Sequence, residues 1–165
     1  MSIVLPSVDT VYTYTWLKTE VATWLHRADL TDRIPTFIAL AEKHMSEILD
    51  AKAMEAKATL TTVAGDGYLD LPTDCKSLRR IAHASSPSTP LRYLGPESLT
   101  NVYQYGGEGR PSSYSIIGSQ LQFGITPDAA YDIDIMYERF IPSLGNAMPT
   151  NWLLTRSPNA YLFGA

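Results

Sequence analysis

Apolar residues recur at helical spacing in two stretches near the start of the chain. Leu17, Val21, Trp24 and Leu25 fall three and four apart, with Lys18, Glu20 and Thr23 between them, which predicts an amphipathic helix over about 13–27. The polar run at 28–32 ends it, because short polar side chains there bond the local backbone and compete with the helix. Pro35 suits the first turn of a second helix. In that helix Ile34, Phe37, Ile38, Ala41, Met45, Ile48 and Leu49 form one stripe, and Glu42, Lys43, Ser46, Glu47 and Asp50 are expected to face away. Phe37 and Ile38 are therefore expected in the core. The short connection predicts an antiparallel helix pair.

After Met54 the helical period gives way to Thr, Val and Tyr, the composition of strands. Residues 57–63 and 68–71 are expected to form a hairpin around Gly65-Asp66-Gly67, closed by Pro72. A third strand is expected over 78–84, before the turn-forming run at 85–90, and 91–93 can resume the pairing. Pro96 opens a short helix to about Gln104, stopped by the glycine-rich stretch that ends at Pro111. Gly118-Ser119 joins 114–117 to 120–123 as a second tight hairpin. Tyr131, Ile133, Ile135 and Tyr137 alternate with Asp132, Asp134, Met136 and Glu138, the pattern of a strand with one wet face. Residues 152–154 and 161–163 read as a last helical segment, and the apolar ending predicts either a cut inside a helix or a neighbour that covers it.

This order contains no βαβ alternation and no internal repeat. It predicts an α+β fold, a small helical bundle made of the N-terminal helix pair and the C-terminal helical region, with an inserted antiparallel β layer. One domain over 1–165 is expected, with helices at about 13–54 and 151–165 and the β-rich insertion at about 56–141.

Composition narrows the function. The chain has 165 residues, 45% hydrophobic and 18% charged, which is globular with a thin charge complement and suggests surface covered by a partner. The formal charge is −4 and no stretch collects Lys and Arg, so tight sequence-independent binding of nucleic acid is disfavoured. Cys75 is the single cysteine, which excludes an intrachain disulfide framework and a thiolate zinc site. No secretory leader and no apolar run of membrane-spanning length is read, so a soluble, unexported chain is expected.

Candidate chemistry is sparse. His26, His44 and His83 lie in three segments with no second ligand at metal spacing, and Cys75 has no local base. No cofactor or metal is expected. Asp132 and Asp134 share a strand face and could form an acid pair, as could Asp66 and Asp70, but a solvated sheet face explains them better. Arg79-Arg80 is the only adjacent basic pair, suited to a phosphate or to a salt bridge with another subunit. The ten tyrosines fit protein interfaces as well as a core.

The ordered segments resemble the head-to-tail adaptor (head completion or connector) proteins of short-tailed bacteriophages. The resemblance rests on Arg27-Ala28-Asp29-Leu30-Thr31 before Ile34-Pro35-Thr36-Phe37-Ile38, on Leu69-Asp70-Leu71-Pro72-Thr73-Asp74, and on Gly109-Arg110-Pro111 before Tyr114. It continues through Tyr137-Glu138-Arg139-Phe140-Ile141-Pro142, Asn151-Trp152-Leu153-Leu154 and Pro158 to Ala165, where family members usually continue further. It implies a non-enzymatic virion protein at the head–tail interface, assembled in the host cytoplasm. The implied partners are the portal protein, a tail or nozzle protein, further copies of the chain in a dodecameric ring, and double-stranded DNA in transit only, with no membrane. Expected partner contacts are Tyr105, Gly107, Arg110, Tyr114, Trp152, Tyr161 and Phe163. Two other classes stay open: a carbohydrate- or ligand-binding β module using Tyr68, Tyr93 and Tyr114, and a small glycan hydrolase using Asp132 and Asp134.

Overall fold

The computed structural model describes residues 12–26, 29–103 and 106–164. The expectations placed on Arg27, Ala28, Gln104, Tyr105 and Ala165 lie outside the described residues. In chain order the elements are α1 (Tyr14–Leu25), α2 (Ile34–Ile48), β1 (Glu55–Thr61), β2 (Tyr68–Asp70), β3 (Cys75–His83) and β4 (Arg92–Tyr93). Then come α3 (Pro96–Val102), β5 (Ser113–Ile117), β6 (Gln120–Phe123), β7 (Asp132–Arg139), α4 (Trp152–Arg156) and α5 (Pro158–Gly164). They fall into two compact units, a helical one from residues 1–53 and 141–165 and a β-rich one from residues 54–140.

In the helical unit α1, α2 and α5 pack on one another. Thr13 caps α1 by accepting from the Trp16 amide at 3.2 Å, which satisfies one of the free N–H groups of the first turn. His26 ends the helix in the left-handed region, φ 49°. Leu17 and Val21 are buried, but Trp24 and Leu25 are exposed. The stripe of α2 is rotated from the expected one: Ile34, Ile38, Ala41, Glu42 and Ser46 are buried, Phe37 is half-buried, and Ile48 is 67% exposed. Glu42 and Ser46 point inward because they stay on the row of Ile34 and Ile38, four residues apart, and find backbone donors there.

The β unit corrects the expected fold. A helical bundle carrying an inserted β layer is not what the chain forms: among the described residues seven strands make two sheets, and their facing sides supply the predominant core. One sheet has the order β1-β7-β3, the other β2-β6-β5-β4. Ile81, Ile133, Ile135 and Tyr137 of the first meet Tyr114, Leu121 and Phe123 of the second in one sandwich-like cluster.

The expected hairpin around Gly65-Asp66-Gly67 is also overturned. β1 pairs antiparallel with β7, and β2 with β6, so the turn carries the chain from one sheet to the other. Thr62, buried just before it, holds the crossing: its amide donates to the Tyr131 carbonyl, its hydroxyl to the Ala129 carbonyl, and it accepts from the Tyr131 amide. The second hairpin forms as expected, with Gly118 at φ 62° supplying the left-handed conformation of its tight turn. β7 alternates as the sequence predicts, Ile133, Ile135 and Tyr137 inward. β3 pairs with β7 through two irregularities, and in each β3 inserts one extra residue, Lys76 and Arg79. α3 packs on β5 through buried Leu99.

Candidate functional site

The most connected polar group of the helical unit is the Glu42 carboxylate, 4% exposed. It accepts from the Leu144 amide at 2.9 and 3.2 Å, from the Tyr161 hydroxyl at 2.9 Å and from Asn151 Nδ2 at 3.4 Å. Asn151 also donates to the Tyr161 oxygen at 2.6 Å and to the Pro142 carbonyl at 2.8 Å, while its Oδ1 caps α4 by accepting from the Leu154 amide. Ser46, one turn further along α2, accepts from the Ile141 amide at 3.1 Å. One face of α2 thus holds the segment 141–144, the start of α4 and the middle of α5. Burial raises the Glu42 carboxyl above the ordinary range against the lowering by its Leu144 and Tyr161 hydrogen bonds, and burial raises the Tyr161 phenol strongly.

The expected contact residues are divided by this framework. Tyr161 is fully buried in the clasp just described, and Tyr114 lies in the core between the sheets, edge-on to Tyr93 with ring centroids 5.6 Å apart. Trp152 opens α4 and is half-buried, its indole N–H without a partner among the described residues. Gly107 is exposed. Arg110 is exposed and donates to Ser85 Oγ at 2.9 Å and Ser86 Oγ at 3.2 Å. Phe163 is 76% exposed on α5 and stands edge-on to Trp24 of α1, itself 60% exposed, with centroids 5.9 Å apart. That pair brings an expected contact residue together with Trp24, a member of the apolar stripe predicted for α1.

The residues considered for catalysis are engaged otherwise. Thr59 and Thr61 of β1 donate to Asp134 and Asp132 at 2.7 and 2.8 Å, each directly across the strand pair. Asp66 accepts from the Tyr68 amide and Asp70 from Gln120. Arg79 and Lys76, the two inserted residues of β3, lie 3.6 and 3.4 Å from the buried carboxylate of Glu138, which Ser77 also reaches. Arg80 donates to the Pro87 carbonyl. Burial and the neighbouring Asp74 raise the Cys75 thiol above its ordinary range, so it is a poor thiolate. Among the described residues no group of three His, Cys, Asp or Glu side chains is arranged to hold a metal ion.

A cross-braced β unit and a helical unit with outward aromatic rings suit a protein that works by contact, a structural component of an assembly. The chain matches the SU10 adaptor protein family over residues 12–165 and belongs to it. It is thus a phage adaptor, a virion component with a structural role. No curated protein matches the chain. Among the described residues no helix is long and apolar enough to cross a membrane.

Proposed function

We propose that the chain is a non-enzymatic head-to-tail adaptor of a short-tailed phage, working as a single adaptor domain that closes into a ring joining the portal to the tail or nozzle. Family membership over residues 12–165 carries this reading. The exposed Trp24–Phe163 pair supports it, since large aromatic side chains left on a surface are the residues that anchor protein interfaces. A formal charge of −4 fits a conduit through which DNA passes without being held, because an acidic wall repels phosphate. Gly107, Arg110 and Phe163 are the expected contacts whose exposure suits that role.

The test is to mix the purified protein with portal rings from the same phage and image the product by electron microscopy. The expected result is a ring of added density on the tail-facing side of the portal. A stable two-fold dimer in solution that adds no density at saturating protein overturns the reading.

A further inference from the structure

An outer strand of a sheet carries backbone N–H and C=O groups on its free side, where a further strand can pair. Three of the four outer strands are unsuited to that: β2 has three residues, β4 has two, and β3 is interrupted twice in its register. β1 is different. Its seven residues pair with β7 in one unbroken register, and none of them is proline or glycine.

The ladder fixes which groups of β1 are free. The Thr62 amide donates to the Tyr131 carbonyl, a pair that continues the β1–β7 register, and the Ala84 amide donates to the Asp132 carbonyl on the β3 side. Hydrogen-bonded pairs alternate along an antiparallel ladder, so Ala56, Ala58 and Leu60 exchange bonds with β7, while Glu55, Lys57, Thr59 and Thr61 turn theirs to the free side. Among the described residues no backbone group meets these outward ones. The side chains alternate in step: those of Glu55, Lys57, Thr59 and Thr61 are exposed, and Ala56, Ala58 and Leu60 are half-buried against the core cluster.

We propose that this edge pairs antiparallel with the β1 of a second copy of the chain, about a two-fold axis at Ala58, so that two three-stranded sheets become one. The strand is complementary to itself in that register. Lys57 faces the partner's Thr59 and Glu55 faces the partner's Thr61, so all four outward residues find one another, with two hydrogen bonds in each pair and no like charges directly opposite. On the inner face Leu60 lies beside the partner's Ala56, large against small. Only slides of two residues keep the outward groups facing. One such slide sets Lys57 against the partner's Lys57, and the other sets Glu55 against the partner's Val63, beyond the point where the chain crosses to the other sheet. A two-fold contact uses the same edge on both copies and therefore stops at two, and a single strand pair is a small interface, so the pairing is weak. The inference concerns the free chain and does not depend on the adaptor reading. The portal experiment reads added density and the present one reads pairing in solution, so each can fail alone.

The test is amide hydrogen exchange of the full chain, followed by NMR at about 20 μM and about 1 mM protein, which bracket a weak dimer. The Lys57, Thr59 and Thr61 amides are expected to exchange at least about threefold more slowly at the higher concentration, while the Tyr93 amide, on the outer strand β4, is unchanged. Cysteine pairs check the register. With Cys75→Ser as the background, Ala58→Cys is expected to form an interchain disulfide on mild oxidation, because residues directly opposite on antiparallel strands lie within disulfide reach. Ala56→Cys, which faces the partner's Leu60, is expected to cross-link at least about tenfold more slowly. Exchange at β1 that ignores concentration, whether fast or slow, overturns the proposal, and so does equal cross-linking by the two cysteine variants, which would place the contact elsewhere.

Discussion

Glu42 shows how one residue can anchor a distant part of the chain. Its carboxylate gathers donors from Leu144, Asn151 and Tyr161, about a hundred positions away, so its removal strands several buried polar groups at once. Glu42→Ala is expected to lower stability by about 2–4 kcal/mol in a denaturant titration, since each stranded buried donor costs about 1–3 kcal/mol and they share one network. The raised carboxyl also has a signed pH consequence. A group whose folded value lies above its unfolded one favours folding when protonated, so that contribution is full below the ordinary carboxyl range and disappears as pH rises through the raised value. The stability of the wild type relative to Glu42→Gln should therefore improve as pH falls through the raised value toward the ordinary carboxyl range, and a flat difference would show that burial does not perturb this carboxyl. This role was partly legible. Positions 34, 38, 42 and 46 form one row of any helix, but the polar character of Glu42 and Ser46 predicts an outward face, and their backbone donors, far along the chain, are visible only in the fold.

Whole elements were easier to read than their partners. The sequence period located α1, α2 and β7 within a few residues, because an amphipathic pattern reports directly which residues leave water. It did not report pairing. β1 and β2 each alternate and flank a suitable turn, but alternation marks a face and leaves the neighbour to be chosen by tertiary packing, which sent them to different sheets. With β1 and β2 in different sheets, the strands that the sequence presents as one inserted layer form two. The candidate contacts divide for a similar reason: an aromatic residue reads the same whether it fills a core, as Tyr114 and Tyr161 do, or stands on a surface, as Phe163 does. Side-chain truncations along α2 test the observed face. Ile38→Ala is expected to cost about 2–5 kcal/mol, whereas Ile48→Ala should change stability by less than about 0.5 kcal/mol. Between α3 and β5 the limiting feature is space. A Cβ at Gly124 would overlap the Tyr103 ring and lie 2.7 Å from Ser113 Oγ, so Gly124→Ala is expected to destabilise by about 1–3 kcal/mol in thermal melts.

For the molecule as a whole, the adaptor reading predicts behaviour toward DNA and toward itself. With a formal charge of −4 and no basic cluster, binding to double-stranded DNA at physiological salt should be negligible, and micromolar, steeply salt-dependent affinity in an anisotropy titration would contradict it. Alone, the chain should sediment as a monomer or weak oligomer, because a cyclic ring joins two different patches and each contact can stay weak until a portal supplies a second one. Phe163→Ser should leave the melting curve within about 0.5 kcal/mol and reduce the density added to portal rings, as expected for an exposed contact residue. The two inserted residues of β3 bear on how copies can meet at all. β3 is an outer strand of its sheet, and a straight outer strand is an open template that any identical copy can extend without limit. Here one end is already occupied, by the Pro90 bridge to Ala82 and the Leu91 amide on the Ile81 carbonyl, and the other is bent twice where Lys76 and Arg79 turn to Glu138. In the ring proposed above, crowded copies therefore do not start a fibre along the β3 border, and contacts made there fall to side chains.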